Sequence, residues 1–283
     1  MRPYLMLAPL LFVLCGLFGA ALGLTLMRSF RYLPAVGLTE PDLSAYTAIL
    51  TAPGFLESVA LSVWIAVGSA LLSAALALAT ALALRQAFVG RGILTGLIQV
   101  GLAVPHVVGA VGILYLFSQS GAFARMAFQA GLIDGPGAFP ALTNDPYAVG
   151  IMLLYVWKEM PFITLILLAS LQRIGPDHEA AARSLGATPW QAFAHVLLPM
   201  LMPSLLAATA LVFAFAFGAY EVPLLLGAHA PEAVAVLAWR SHTDVDLAAR
   251  PEAMAMAVVI AVIAGGMLVA LAQLLGKAGW GGR

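Results

Sequence analysis

Residues Glu179 to Pro203 read EAAARSLGATPWQAFAHVLLPMLMP, a polar, alanine-rich stretch set between two long apolar runs. Gly175-Pro176-Asp177 just ahead of it can cap and open a helix, whose interior is Glu179-Ala-Ala-Ala-Arg-Ser-Leu. Alanine loses no side-chain rotamer freedom, so a short helix forms there at little cost. Gly186 is placed to end that helix in a left-handed conformation, and Thr188-Pro189 to start a second one at Trp190. The expected product is a small polar helix–turn–helix at a membrane surface. The plainer alternative is an amphipathic interfacial connector.

The surroundings of this segment are built for lipid. Hydrophobic residues make up 63% of 283 and charged ones 9%, where a soluble domain carries roughly 25% charge. Mean hydropathy is +1.01. With a formal net charge of +0 and lysines and arginines scattered singly, neither a nucleic-acid partner nor a polybasic lipid-binding tract is expected. Cys15 is the single cysteine, so no intrachain disulfide is possible, and Asn144-Asp145-Pro146 is no glycosylation acceptor.

Apolar runs of about 20 residues or more cross a bilayer core. Six fit: roughly 5–27, 56–84, 92–118, 147–171, 199–227 and 253–276, each bounded by charge. The first is longer than a signal-peptide core and lacks a polar cleavage region after it, so it reads as a true transmembrane helix. Between runs, the segments 28–55, 119–146 and 228–252 hold much of the proline and glycine punctuation and suit irregular connections or short interfacial helices. No repeat of fixed period is evident. The fold class expected is an all-α polytopic membrane protein with six transmembrane helices.

The loop after the fourth run resembles the cytoplasmic loop by which permease subunits of ABC importers contact their ATPases. That family loop runs Glu-Ala-Ala, three residues, Gly, nine residues, Ile-x-Leu-Pro. Here nine residues follow Gly186 before Val196, with Leu198 and Pro199 in register, so the second half matches apart from Val for Ile. Counted back from Gly186, the family glutamate falls on Ala180, and Glu179 stands one residue early, about 100° of helix rotation away. The resemblance covers roughly residues 54–276. It implies the type I ABC importer permease fold, a core of five helices with a first helix packed on a partner subunit. The implied division is 1–53 for the first helix and outer loop, 54–276 for the importer domain with its coupling loop at 172–199, and 277–283 for a short cytoplasmic tail.

The same resemblance implies partners: two ATPase subunits, a second permease subunit (same or different chain), and an extracytoplasmic solute-binding protein, all around the lipid bilayer. Glu179, Ala180, Ala181, Ala182, Arg183, Gly186, Val196, Leu198 and Pro199 would carry the ATPase coupling. ATP hydrolysis itself is expected on the separate subunit, because neither Lys158 nor Lys277 lies in a phosphate-binding GxxxxGK[ST] loop. No cofactor is expected. The implied location is a bacterial inner membrane with both termini cytoplasmic. Charge alone decides that orientation weakly: seven basic residues on the inner side face five on the outer. Acids divide more sharply, nine outer against two inner, and weigh little in that rule.

Inside the fourth run, Trp157-Lys158-Glu159-Met-Pro161-Phe162 puts two charges near mid-membrane. Each costs at least about 2.5 to 3.5 kcal/mol there unless paired or wet, and adjacent helical residues do not face one another. Pro161 removes a backbone hydrogen bond beside them. Lys158, Glu159 and Pro161 are therefore candidates for the solute path or a subunit interface, or else are satisfied by neighbouring helices of the same chain. Glu221, between Gly218 and Pro223, is a further candidate on a bent or broken helix, tolerated where it lines a cavity. These two segments look most like permeases for polyamines and for related thiamine, iron or sulfate systems. His106, after Pro105, reads first as a hydrogen-bonded structural residue. His178-Glu179 lacks the second histidine of a zinc motif, so no metal site is expected. His195 stands where the family often has a basic residue. Ala66, Ala70 and Ala74 share a face suited to close helix packing. Rival functions are an ion-coupled secondary transporter using Lys158, Glu159 and Glu221, or a non-transporting membrane scaffold.

Overall fold

The computed structural model describes residues 2–86 and 88–277, so beyond Lys277 the expected tail lies outside the described residues. Helices dominate, and the only β pairing among the described residues is an isolated bridge between Leu33 and Leu38. Six helical segments are long and apolar enough to cross a membrane: Met6–Ser29, Phe55–Leu84, His106–Gln129, Val149–Ile174, Pro189–Gly218 and Leu247–Gln273. The polytopic helical architecture expected from the sequence is what the chain adopts.

The second, fourth and fifth spans pack together at the centre. The second offers them a stripe of small side chains, with Ser62, Ala66, Ser69, Ala70, Ala74 and Ala77 buried along its length. Small residues let helix backbones approach closely where the lipid supplies no hydrophobic drive. The same core holds Tyr155, Ile163 and Leu167 from the fourth span and Leu201 and Phe217 from the fifth, all fully buried. Hydroxyls stitch the layers: Ser170 and Ser204 are 2.8 Å apart, and Ser62 accepts the Val234 amide at 2.8 Å. The last span packs on the fifth and on Gly19–Ser29 of the first. The most apolar stretch of the first span has none of its residues buried, leaving its surface for lipid or a partner.

Two apolar runs are not single helices. The run expected at 92–118 is split into Arg91–Ala103 and His106–Phe117. Pro105 has no amide hydrogen to continue the ladder, and a residue before proline is pushed out of the helical region; Val104 accordingly sits at φ −75°, ψ 127°. Both halves pack on the fourth span. At 13 and 12 residues they give about 20 and 18 Å of rise, so together they make the third crossing, and Ala122–Gln129 lies beyond it.

The run expected at 199–227 also differs at both ends. Its helix begins at Pro189, passes through a π-helical turn at Phe193–Leu197, and stops at Gly218. A separate short helix, Glu221–Leu226, follows. Asp145 opens the fourth span by accepting the Tyr147 amide at 3.0 Å and the Val149 amide at 2.9 Å.

Candidate functional site

The loop between the fourth and fifth spans forms a rigid elbow. Its first helix, Asp177–Ser184, ends with Gly186 at φ +90°. The Gly186 amide donates to the Arg183 carbonyl at 3.0 Å and the Ala187 amide to the Ala182 carbonyl at 3.1 Å, the pair of bonds that closes a glycine-terminated helix. Asp177 is the first helical residue and makes no side-chain cap, contrary to its expected capping role. On the far side of the turn, Thr188 and Gln191 form a reciprocal capping box: the Thr188 hydroxyl accepts the Gln191 amide at 3.3 Å, and the Gln191 side chain accepts the Thr188 amide at 2.9 Å. The second helix is the N-terminal end of the fifth span and not a free element.

The elbow presents one face outward. Ala180, Ala181, Arg183 and Gly186 are exposed, as are Leu185 at 91% and Trp190 at 71%. Ala182, Val196, Leu198 and Pro199 are half-buried at its base. Glu179 turns the other way. Its carboxylate lies 2.7 Å from the Arg85 guanidinium at the C-terminal end of the second span, beside a cleft also lined by Arg91, Gln172 and Leu197. Arg85 appeared in the sequence only as a boundary charge; its partner could not be read from spacing.

Within the membrane, the structure separates the two adjacent charges. Lys158 is buried at 4% exposure. Its Nζ donates to the Gly101 carbonyl at 2.7 Å and to the Val104 carbonyl, oxygens at the end of the broken half-helix. A cation is well placed at a helix C-terminus, where carbonyls lack partners. Gly101 permits this approach: a Cβ there would stand 3.3 Å from Pro161 Cγ and 3.3 Å from the Trp157 carbonyl oxygen. Pro161 stays inside the Val149–Ile174 helix.

Glu159 faces His106, whose Nε2 is 3.0 Å from the carboxylate. Beside them the His106 ring centroid is 4.8 Å from that of Phe215, and Tyr155 is 6.0 Å from Phe215. Tyr155 is fully buried and its hydroxyl has no hydrogen-bond partner. Glu221 opens the short helix after the break and is exposed. Tyr155 escaped the sequence reading because nothing in one dimension marks a tyrosine whose hydroxyl lacks a mate.

Residues 73–277 match the family of binding-protein-dependent transport system inner membrane components. The chain belongs to this family. Among curated relatives of this permease, the sulfate transport system permease CysT of Escherichia coli is 28% identical over 158 residues, 56% of this chain and 51% of that one. The thiamine transport system permease ThiP of Salmonella typhimurium is 31% identical over 266 residues, 93% of this chain and 47% of that one. A probable ABC transporter permease, y4oQ of Sinorhizobium fredii, is 30% identical over 198 residues, covering 67% and 63%. The chain thus spans about half the length of several curated relatives it matches. In structure it is similar to a chain of a bacterial ABC transporter that imports the polysaccharide alginate. That match has a TM-score of 0.78 at 18% identity and covers 98% of this permease and 95% of that chain, which fixes the fold.

Proposed function

We propose that this permease is the membrane subunit of an ABC importer, forming half of a solute path and converting ATP hydrolysis on a separate subunit into alternating access. The elbow carries the proposal. It is a stiff, doubly terminated turn whose outward face offers Leu185, Trp190, Ala180, Ala181 and Arg183 to a partner. Its base at Val196, Leu198 and Pro199 continues without a break into the fifth span. Push on that face moves a core helix. In this reading the elbow lies in the cytoplasm, docked on an ATPase, and six crossings then put both termini on the same side.

The remaining partners follow from the family. A second permease subunit would complete the path against the uncovered first span and the open side of the fifth. A solute-binding protein would deliver from outside; an alginate importer of the same fold has been crystallised in complex with its ligand-bound periplasmic protein. Residues 1–53 are assigned to the first helix and outer loop and 54–276 to the importer domain. Relatives named for sulfate, thiamine and molybdenum transport span anions and a cation, so relatedness alone leaves the solute open.

Reconstitution tests this. Proteoliposomes holding the permease pair, its ATPase and its binding protein should take up solute with ATP and continue after ionophores collapse ion gradients. Gly186→Trp should lose that uptake with all spans still inserted, because the bulk and the left-handed φ together spoil the turn. Uptake that follows an ion gradient, or normal uptake by the variant, overturns the proposal.

A further inference from the structure

The elbow meets the rest of the chain across a basic cleft. Two adjoining cavities, of about 270 and 480 Å³, share Arg85, Pro176 and Glu179 in their walls. Arg91 lines the first and Arg183 the second, so three guanidiniums border a space that holds one carboxylate. Glu179 is spoken for by Arg85 at 2.7 Å. Arg91 and Arg183 make no ion pair among the described residues, and both are exposed. Such a space favours an anion. The planar guanidinium offers paired N–H donors that match the oxygens of a phosphate.

A second observation says which kind of anion. The cleft lies where the second and fourth spans end and the third crossing and fifth span begin, which is a membrane boundary whichever way the chain is inserted. Its floor is apolar, made by Leu168, Leu171 and Leu197. Arg91 also opens the half-helix Arg91–Ala103, whose surface is greasy: Ile93 is 73% exposed and Leu97 65%. Leu94, three residues beyond Arg91 and so beside it on the helix, is exposed as well. A soluble ion gains nothing from those side chains. Basic pockets between membrane helices hold lipid headgroups, and a lipid uses both the arginines and the leucines.

We propose that this cleft binds the headgroup phosphate of an anionic phospholipid, with Arg85, Arg91 and Arg183 as donors and the acyl chains along Ile93, Leu94 and Leu97. The lipid then bridges the elbow, the second span and the broken third crossing, adding a tie beyond the Arg85–Glu179 contact. This goes beyond the importer reading and does not rest on it.

The test follows the thermal midpoint of the full chain in a nonionic detergent, titrated with short-chain phosphatidylglycerol, short-chain phosphatidylcholine or sodium phosphate. Phosphatidylglycerol should raise the midpoint saturably, and the other two should not at the same concentrations. Arg91→Gln and Arg183→Gln should each weaken the response about tenfold, as expected for loss of a charge-assisted hydrogen bond. Neither residue has an ion-pair partner to lose, so the lipid-free midpoint should stay at the parent value. Glu179→Gln should shift the other way and tighten lipid binding severalfold, because the one competing carboxylate is gone. Arg125→Gln, an exposed arginine beyond the opposite end of the third crossing, should leave the response unchanged. The phosphatidylglycerol response should also persist once the ATPase is bound. An equal response to phosphatidylcholine, or unchanged affinity in both the Arg91 and Arg183 variants, overturns the proposal. Saturation by phosphate alone would make this a free-anion site, and loss of the lipid on adding ATPase would make it a protein interface; either result sinks the lipid assignment.

Discussion

The Arg85 guanidinium holds the Glu179 carboxylate at 2.7 Å, joining the C-terminal end of the second span to the first helix of the elbow. The two side chains are 34% and 18% exposed, so the pair contributes little to stability, about 0.2 to 1 kcal/mol by analogy with other partly exposed pairs. Its consequence is positional. The second span is a core helix, and through this contact the elbow bears on the core at a second point besides its continuity with the fifth span. Glu179 stands one residue before the position the family loop assigns to its glutamate, and that offset turns it toward the protein.

Reversing one charge should therefore disturb coupling more than folding. Arg85→Glu is expected to lower solute transported per ATP hydrolysed severalfold, with a thermal midpoint within a few degrees of the parent. The exchange Arg85→Glu with Glu179→Arg should recover most of the lost coupling. Uptake and phosphate release measured on the same proteoliposomes give the ratio. A double exchange no better than the single one would show that the contact transmits nothing.

Lys158→Met separates insertion from stability. Removing a charge from mid-span eases insertion by about 2.5 to 3.5 kcal/mol on translocon scales. The Gly101 and Val104 carbonyls then lose their donor, and a buried acceptor left unsatisfied costs about 1 to 3 kcal/mol. The variant should insert at least as well as the parent in a glycosylation-reporter assay, yet unfold several degrees lower in detergent. Equal midpoints would mean that the ammonium does not secure the broken half-helix.

The parts legible in the sequence are those set by neighbours along the chain. Hydropathy located the spans, and Gly186 announced its turn because few other residues accept its backbone angle. Pro105 also lay in plain view inside an apolar run, but hydropathy averages over a single break. Its effect depended on Lys158 arriving from another helix to take the freed carbonyls. His106 and Glu159, and likewise Arg85 and Glu179, meet only after helices pack, and no periodicity encodes such encounters. One signal went unused: a mid-membrane lysine needs acceptors, and a proline-broken helix supplies them, so the two could have been matched by exclusion. The helix break before Glu221 was foreseeable from Gly218 and Pro223. The orphaned hydroxyl of Tyr155 was not.

The elbow's second turn should be stabilised by its capping box. Thr188→Ala removes the hydroxyl that accepts the Gln191 amide, a loss worth about 1 kcal/mol at helix starts. Because the helix it opens is the base of the fifth span, fraying should reach the exposed face of the elbow. Amide exchange at Trp190–Phe193 should quicken several-fold, with the membrane core unaffected. Uniform acceleration across the chain would instead indicate global destabilisation.

Gly101 offers the sharpest test of the broken third crossing. An added methyl would stand 3.3 Å from Pro161 Cγ and 3.3 Å from the Trp157 carbonyl oxygen. Neither neighbour yields readily, since one belongs to a closed ring and the other to helix backbone. The half-helix must instead move away, and its Gly101 carbonyl retreats from the Lys158 ammonium that it accepts at 2.7 Å. Gly101→Ala should thus cost about 1 to 3 kcal/mol, the range for overpacking a tight contact. Gly96→Ala, on the same helix with nothing within 4 Å of the new methyl, should be neutral or stabilising by about 0.5 to 1 kcal/mol through helix propensity. Both substitutions add one methyl to one helix, so thermal unfolding in detergent isolates the contact with the fourth span. If Gly101→Ala is as well tolerated as Gly96→Ala, the half-helix does not lie against Pro161 and the lysine is not its cap.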